Sequence, residues 1–165
     1  LNNEKSDSIL GFSREFQGRV KVTSRLLTFT TVKADAVLAQ HLEIEPEEEV
    51  WFIRRVRLLD GKPVLIEDSN IPLKVIATIP QSILEEGSLY GYIEEFTGNK
   101  ISDADSLIEA DLFDDELAGL LDIAPGLPML KITEVTRLSD ARAFNFSVSY
   151  NRADIFRVKN MRIER

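Results

Sequence analysis

The chain has 165 residues, 44% hydrophobic and 29% charged, a composition that suits one soluble globular domain with a sizeable core. A formal net charge of −8 argues against direct binding to a phosphate backbone, and the absence of cysteine excludes disulfides and thiolate metal sites and fits a reducing cytosol. With one histidine, His41, no histidine-based triad or multi-histidine metal centre can form within one chain, and no apolar run reaches the length of a membrane span.

Residues 1–10 are polar and carry no periodic pattern. Val20 to Thr31 alternates and is rich in threonine and valine, which predicts a strand. Asp35 to Leu42 has helical spacing with Asp35 placed to cap it, and Glu45 to Glu49 is a turn. An apolar strand then carries Arg54, Arg55 and Arg57, turns at Asp60-Gly61-Lys62, and returns through Glu67. Ser82 to Phe96 is predicted helical with a break at Gly87-Ser88, and Gly98-Asn99 ends it. Ile101 to Asp111 is a strand and Asp114 to Leu121 a helix capped by Asp114. Pro128 to Leu138 and Ala143 to Tyr150 form a second hairpin, and Ile155 to Ile163 is a last strand or tail.

The segments LEIEPEEEVWFIRRV from Leu42 and LDIAPGLPMLKITEV from Leu121 align with proline on proline. Each follows strand, short helix, proline turn, hairpin, which points to an internally duplicated unit. The alternative is a pair of generic helix-to-strand connections. The expected architecture is α+β: an antiparallel sheet of about six strands with covering helices.

Arg55 and Arg57 are two apart on a strand and share a face. A guanidinium fork suits phosphate or carboxylate, so the pair either holds an anionic guest or forms an ion-pair ladder with Glu67. The register is open. A two-residue Asp60-Gly61 turn sets Arg54 opposite Glu67, whereas a three-residue loop sets Arg55 there. Ser88 opens a helix, where it can help bind a phosphate or act as a plain N-cap. Asn145, Ser147, Ser149 and Asn151 alternate onto one strand face, as a pocket lining or as a solvated surface.

In combination, Phe12-Ser13, LAQHLEIEPEEEVWFIRRVRLLDGKPVLIEDSNIP, GSLYGYIEE, LLDIAPGLPMLKI and RADIF resemble the UTRA effector-binding domain of HutC-subfamily GntR transcription regulators. The resemblance implies a chorismate-lyase-like fold without a catalytic role. It also implies a small anionic effector, often a phosphosugar, and no cofactor or metal. It further implies a homodimer in the cytoplasm, without membrane contact, that reaches DNA only through a separate N-terminal winged helix-turn-helix domain. Residues 1–11 are then a linker remnant, and 12–165 the effector-binding and dimerisation domain. Carried over by motif, Arg55, Arg57 and Ser88 match the anion site, with Tyr90 and Ser13 beside it. Glu67 matches the acid that meets effector hydroxyls, and Phe12 lies in the segment entering the pocket. This pattern favours the register that sets Arg55 and Arg57, not Arg54, on the face of Glu67. Amino-sugar-phosphate members carry Glu and Tyr near positions 145 and 151, where this chain has Asn145 and Asn151, and Phe156 replaces a frequent tyrosine. The specificity side therefore departs from N-acetylglucosamine phosphate. The alternative reading is a chorismate-lyase-like enzyme, which an absorbance assay with chorismate distinguishes.

Overall fold

The computed structural model describes residues 20–158. Phe12 and Ser13 lie outside the described residues. The elements run β1 (Val22–Lys33), α1 (Ala36–Leu42), β2 (Glu49–Leu59), β3 (Lys62–Pro72), α2 (Gln81–Glu85), α3 (Leu89–Thr97), β4 (Ile101–Leu112), α4 (Asp115–Leu121), β5 (Pro128–Leu138) and β6 (Ala143–Arg152). The six strands form one open antiparallel sheet in the order β1-β2-β3-β6-β5-β4. The expected α+β class and strand number are borne out. Ile155 to Val158 follow β6 as turn and loop rather than as a seventh strand.

The duplication is visible in the coordinates. β1 and β4, α1 and α4, and β2 and β5 repeat at a constant offset of 79 residues. Asp35 and Asp114 each cap their helix by accepting from the N–H three residues on, at 2.8 Å. Both helices end on a left-handed acidic residue, Glu43 (φ 56°) and Asp122 (φ 54°). The halves meet where β3 pairs with β6.

Helices cover both faces of the sheet. On one face, α1 packs Ala39 and Leu42 against Val50, while α4 packs Ala118 and Leu121 against Val56 and Ile66. On the other, α2 and α3 set Leu84, Leu89 and Ile93 over Ile53, Ile71, Leu138 and Phe144. Burying each such side chain contributes roughly 1.5–3 kcal/mol.

The β2–β3 hairpin resolves the register. Its turn is the two-residue form, Leu59 facing Lys62, with Asp60 (φ 48°) and Gly61 (φ 78°) both left-handed as a type I′ turn requires. The two-residue turn was expected to bring Arg54 opposite Glu67. It does not, because the pairing slips by one: Leu58 faces Pro63, Arg57 faces Leu65, and Val64 is the extra residue of a β-bulge. Arg55 therefore faces Glu67 and Arg54 faces Asp68. The other hairpin carries the corresponding slip, with Phe144 as the extra residue between Ala143 and Asn145.

Candidate functional site

Arg55 and Arg57 project from β2 onto the face covered by α2 and α3, and both are almost wholly buried, at 2% and 3% exposure. The Arg55 Nη2 donates to Glu67 Oε1 at 2.6 Å and its Nη1 to the Leu84 carbonyl at the end of α2 at 3.2 Å. The Arg57 Nη1 lies 3.6 Å from the same Glu67 oxygen. Two buried guanidinium groups thus share one carboxylate. Burial, then the neighbouring Arg55, pushes the Arg57 pKa from the ordinary guanidinium range down to about 9, with Glu67 and Tyr90 opposing. A guanidinium held near 9 stays charged at neutral pH.

Glu67 is held the other way. Burial pushes its carboxyl up, but Arg55 and Arg57 outweigh burial, and the net shift is below 4.5. Its contribution to stability is therefore present above about pH 4.5 and is lost as pH falls through the lowered native value. Thermal melting followed from roughly pH 6 to pH 3 should show a steeper acid loss for the native chain than for Glu67→Gln. Equal slopes would remove Glu67 from the acid-sensitive groups.

Arg54 points to the opposite face. It forms a two-pronged pair with Asp68, 2.7 and 2.8 Å, and reaches Glu116 of α4 at 3.4 Å. The expectation that Arg54 turns away from Glu67 holds.

Gly87 and Ser88 link α2 to α3 beside Leu84. A Cβ on Gly87 would sit 3.0 Å from the Ile83 Cα and 3.2 Å from its carbonyl oxygen, so a side chain here requires the end of α2 to give by a few tenths of an ångström. Gly87→Ala is expected to destabilise the chain by about 1–3 kcal/mol in denaturant unfolding, and an unchanged midpoint would show that this turn has slack. Ser88 is the N-cap of α3, its Oγ accepting from the Gly91 N–H at 3.1 Å. The capping reading is thus realised, with the Ser88 Oγ acting as acceptor in this bond.

Tyr90, in the first turn of α3, brings its hydroxyl to Asn145 Nδ2 at 3.0 Å and Thr136 Oγ1 at 3.4 Å, with its ring edge-on to Phe144. Burial first, then Glu134 and Glu67, hold its phenol above the ordinary range. Asn145 is 1% exposed and also accepts from the Asn70 N–H, which makes it part of the sheet's internal network. Asn151 is buried too, donating to the Leu130 carbonyl and to Ser149 Oγ. Ser149 faces Glu67 and Ser147 faces Ser69 across the β3–β6 seam, both half-buried. Phe156 lies in the turn after β6, its N–H bonded to the Arg152 carbonyl. The structure thus brings Arg55, Arg57, Glu67, Ser149, Ser147 and Asn151 onto one sheet face, with Tyr90 above it and Ser88 capping the same helix.

Sequence reasoning passed over Ser69, Glu134 and Thr136, which lie on this same face. Among the described residues no group of three or more acidic, histidine or cysteine side chains is placed to hold a metal, and no helix is long and apolar enough to cross a membrane.

The six-stranded α+β sheet with helices on both faces is similar in fold to a ligand-binding domain from Bordetella bronchiseptica, with a TM-score of 0.79 at 26% identity, covering 87% of this chain and 90% of that one. The family profile of the UTRA domain matches residues 17–157, and the chain belongs to that family. It is 28% identical over 142 residues to the uncharacterised HTH-type transcriptional regulator YydK of Bacillus subtilis (strain 168), covering 86% of this chain and 59% of that protein. It is 31% identical over 128 residues to the mannosyl-D-glycerate transport/metabolism system repressor MngR of Escherichia coli (strain K12), covering 78% and 53%. The crystal structure of a GntR-family transcriptional regulator from Bacillus cereus superposes with a TM-score of 0.74 at 26% identity, covering 87% of this chain and 99% of that one. The chain thus spans little more than half the length of these two curated relatives.

Proposed function

We propose that this chain is the sensing half of a GntR/HutC-type regulator and binds a small anionic effector, a phosphorylated sugar or a molecule like it. The observation that carries the reading is the pair of buried guanidinium groups facing a single carboxylate. An incoming phosphate or carboxylate is taken up by Arg57 and Arg55 with Ser88 and the first-turn N–H groups of α3. Glu67, anchored by both arginines, offers its remaining acceptor capacity to effector hydroxyls. Ser147, Ser149, Asn151, Asn145, Phe156 and the segment containing Phe12 and Ser13 shape the remainder.

A sugar-derived effector agrees with the mannosyl-D-glycerate system that the relative MngR represses, and the relatives' being transcriptional regulators supports sensing over catalysis. In the full-length protein, a homodimer would carry DNA-binding domains outside this chain, and the effector would act by favouring one of two arrangements of them. The reading is tested by calorimetric titration of the chain with sugar phosphates and the Arg57→Ala comparison argued in the Discussion.

A further inference from the structure

The two halves of the sheet present opposite chemistry at equivalent positions. At the 79-residue offset that relates β2 to β5, Arg55 corresponds to Glu134 and Arg57 to Thr136. These four side chains stand on one face: cross-strand pairing runs Glu134 to Ser147 to Ser69, and in the next row Ile132 to Ser149 to Glu67 to Arg55.

Glu134 is held by hydroxyls. Ser106 of the neighbouring strand donates to Oε2 and Thr136 approaches Oε1 at 3.4 Å. Among the described residues no cation is within salt-bridge distance of it. Burial and the Glu67 charge hold its carboxyl above the ordinary range, the reverse of Glu67 itself. Tyr90 stands between the two ends. Its hydroxyl bonds to Thr136 and Asn145, and it is within electrostatic reach of Arg57 and Glu67 as well as Glu134. One end of the face therefore holds two buried guanidinium groups, and the other a half-buried carboxylate with no cation beside it among the described residues.

We infer that Glu134, backed by Ser106 and Thr136, is a second pole of the proposed effector site, and that the effector carries hydroxyl or ammonium donors at the end remote from its anionic group. This inference rests on the anion-site reading of Arg55 and Arg57. Two strand spacings and one step of two residues separate Glu67 from Glu134, about 12 Å between Cα atoms. An inorganic ion touches only the arginine pole. A ligand of monosaccharide-phosphate size can engage both, its donors meeting a carboxylate whose present partners are weak or neutral.

The test is the ratio of two affinities in the same chain, measured by calorimetry with inorganic phosphate and with hexose 6-phosphates, amino and neutral. Glu134→Ala should bind inorganic phosphate within about twofold of the native chain and the best hexose phosphate at least tenfold more weakly, the loss of a charge-assisted hydrogen bond. The isosteric Glu134→Gln repeats the measurement if the alanine variant melts early. An unchanged ratio in both variants, with native binding intact, overturns the second pole and leaves the anion site standing. A native chain that binds neither phosphate nor any hexose phosphate overturns the anion reading and this inference together.

Discussion

Arg57→Ala is expected to abolish effector binding while the chain still folds. The lost contacts are charge-assisted hydrogen bonds of about 1.5–3 kcal/mol each, so losing a pair weakens binding by well over a hundredfold. The fold should tolerate the change for a reason specific to this site. Burial and Arg55 already disfavour the Arg57 charge, and Arg55 keeps its own short pair with Glu67 at 2.6 Å. The melting temperature of the unliganded variant should equal or exceed that of the native chain. Unchanged calorimetric affinity in a folded Arg57→Ala would remove Arg57 from the site, and a collapsed variant would mark it as structural.

Glu67→Gln is expected to do the opposite, with a large loss of stability in the free chain. Glu67 is the carboxylate that both buried arginines share, at 2.6 and 3.6 Å. Removing one partner of a buried ion pair typically destabilises by about 3–5 kcal/mol, because a buried charge is left uncompensated. For a chain of this size that corresponds to a fall of roughly 10 °C in melting temperature. An anion bound at the arginines replaces part of the missing charge, so added phosphate should raise the melting temperature of Glu67→Gln more than that of the native chain. A variant that melts with the native chain would mean the arginines do not depend on Glu67.

The contrast between these variants follows from a bulge that the sequence does not announce. Strand alternation and the Asp35 and Asp114 caps made the elements legible, and the 79-residue similarity made the repeat legible. The turn type was left open between a two-residue and a three-residue loop, and the structure has the two-residue type I′ form that Asp-Gly favours. Taken alone, that turn gives the wrong partner for Glu67. Only the extra residue at Val64 restores Arg55 to it, and Val64 is an ordinary strand residue with no glycine to mark a bulge. The family pattern chose the face that local rules had left open.

Glu134 was hidden for a different reason. In sequence it is one polar residue in an alternating strand, and only the sheet order, which brings β5 beside β6, puts it on the arginine face. The offset that exposed the duplication could have found it, because that offset carries Arg55 onto Glu134. Ser88 was legible both as a cap and as a ligand group, and its bond to Gly91 shows the first role.

The central claim is that the buried arginine pair is a site for a charged small molecule. It is tested most directly by melting the native chain against sugar phosphates and their unphosphorylated parent sugars. A ligand bound only by the folded state raises the melting temperature with its concentration. The account predicts a saturable rise with at least one phosphate ester and none with its parent sugar. Parent sugars acting as strongly as their phosphates, or no ester raising the transition at all, would contradict it.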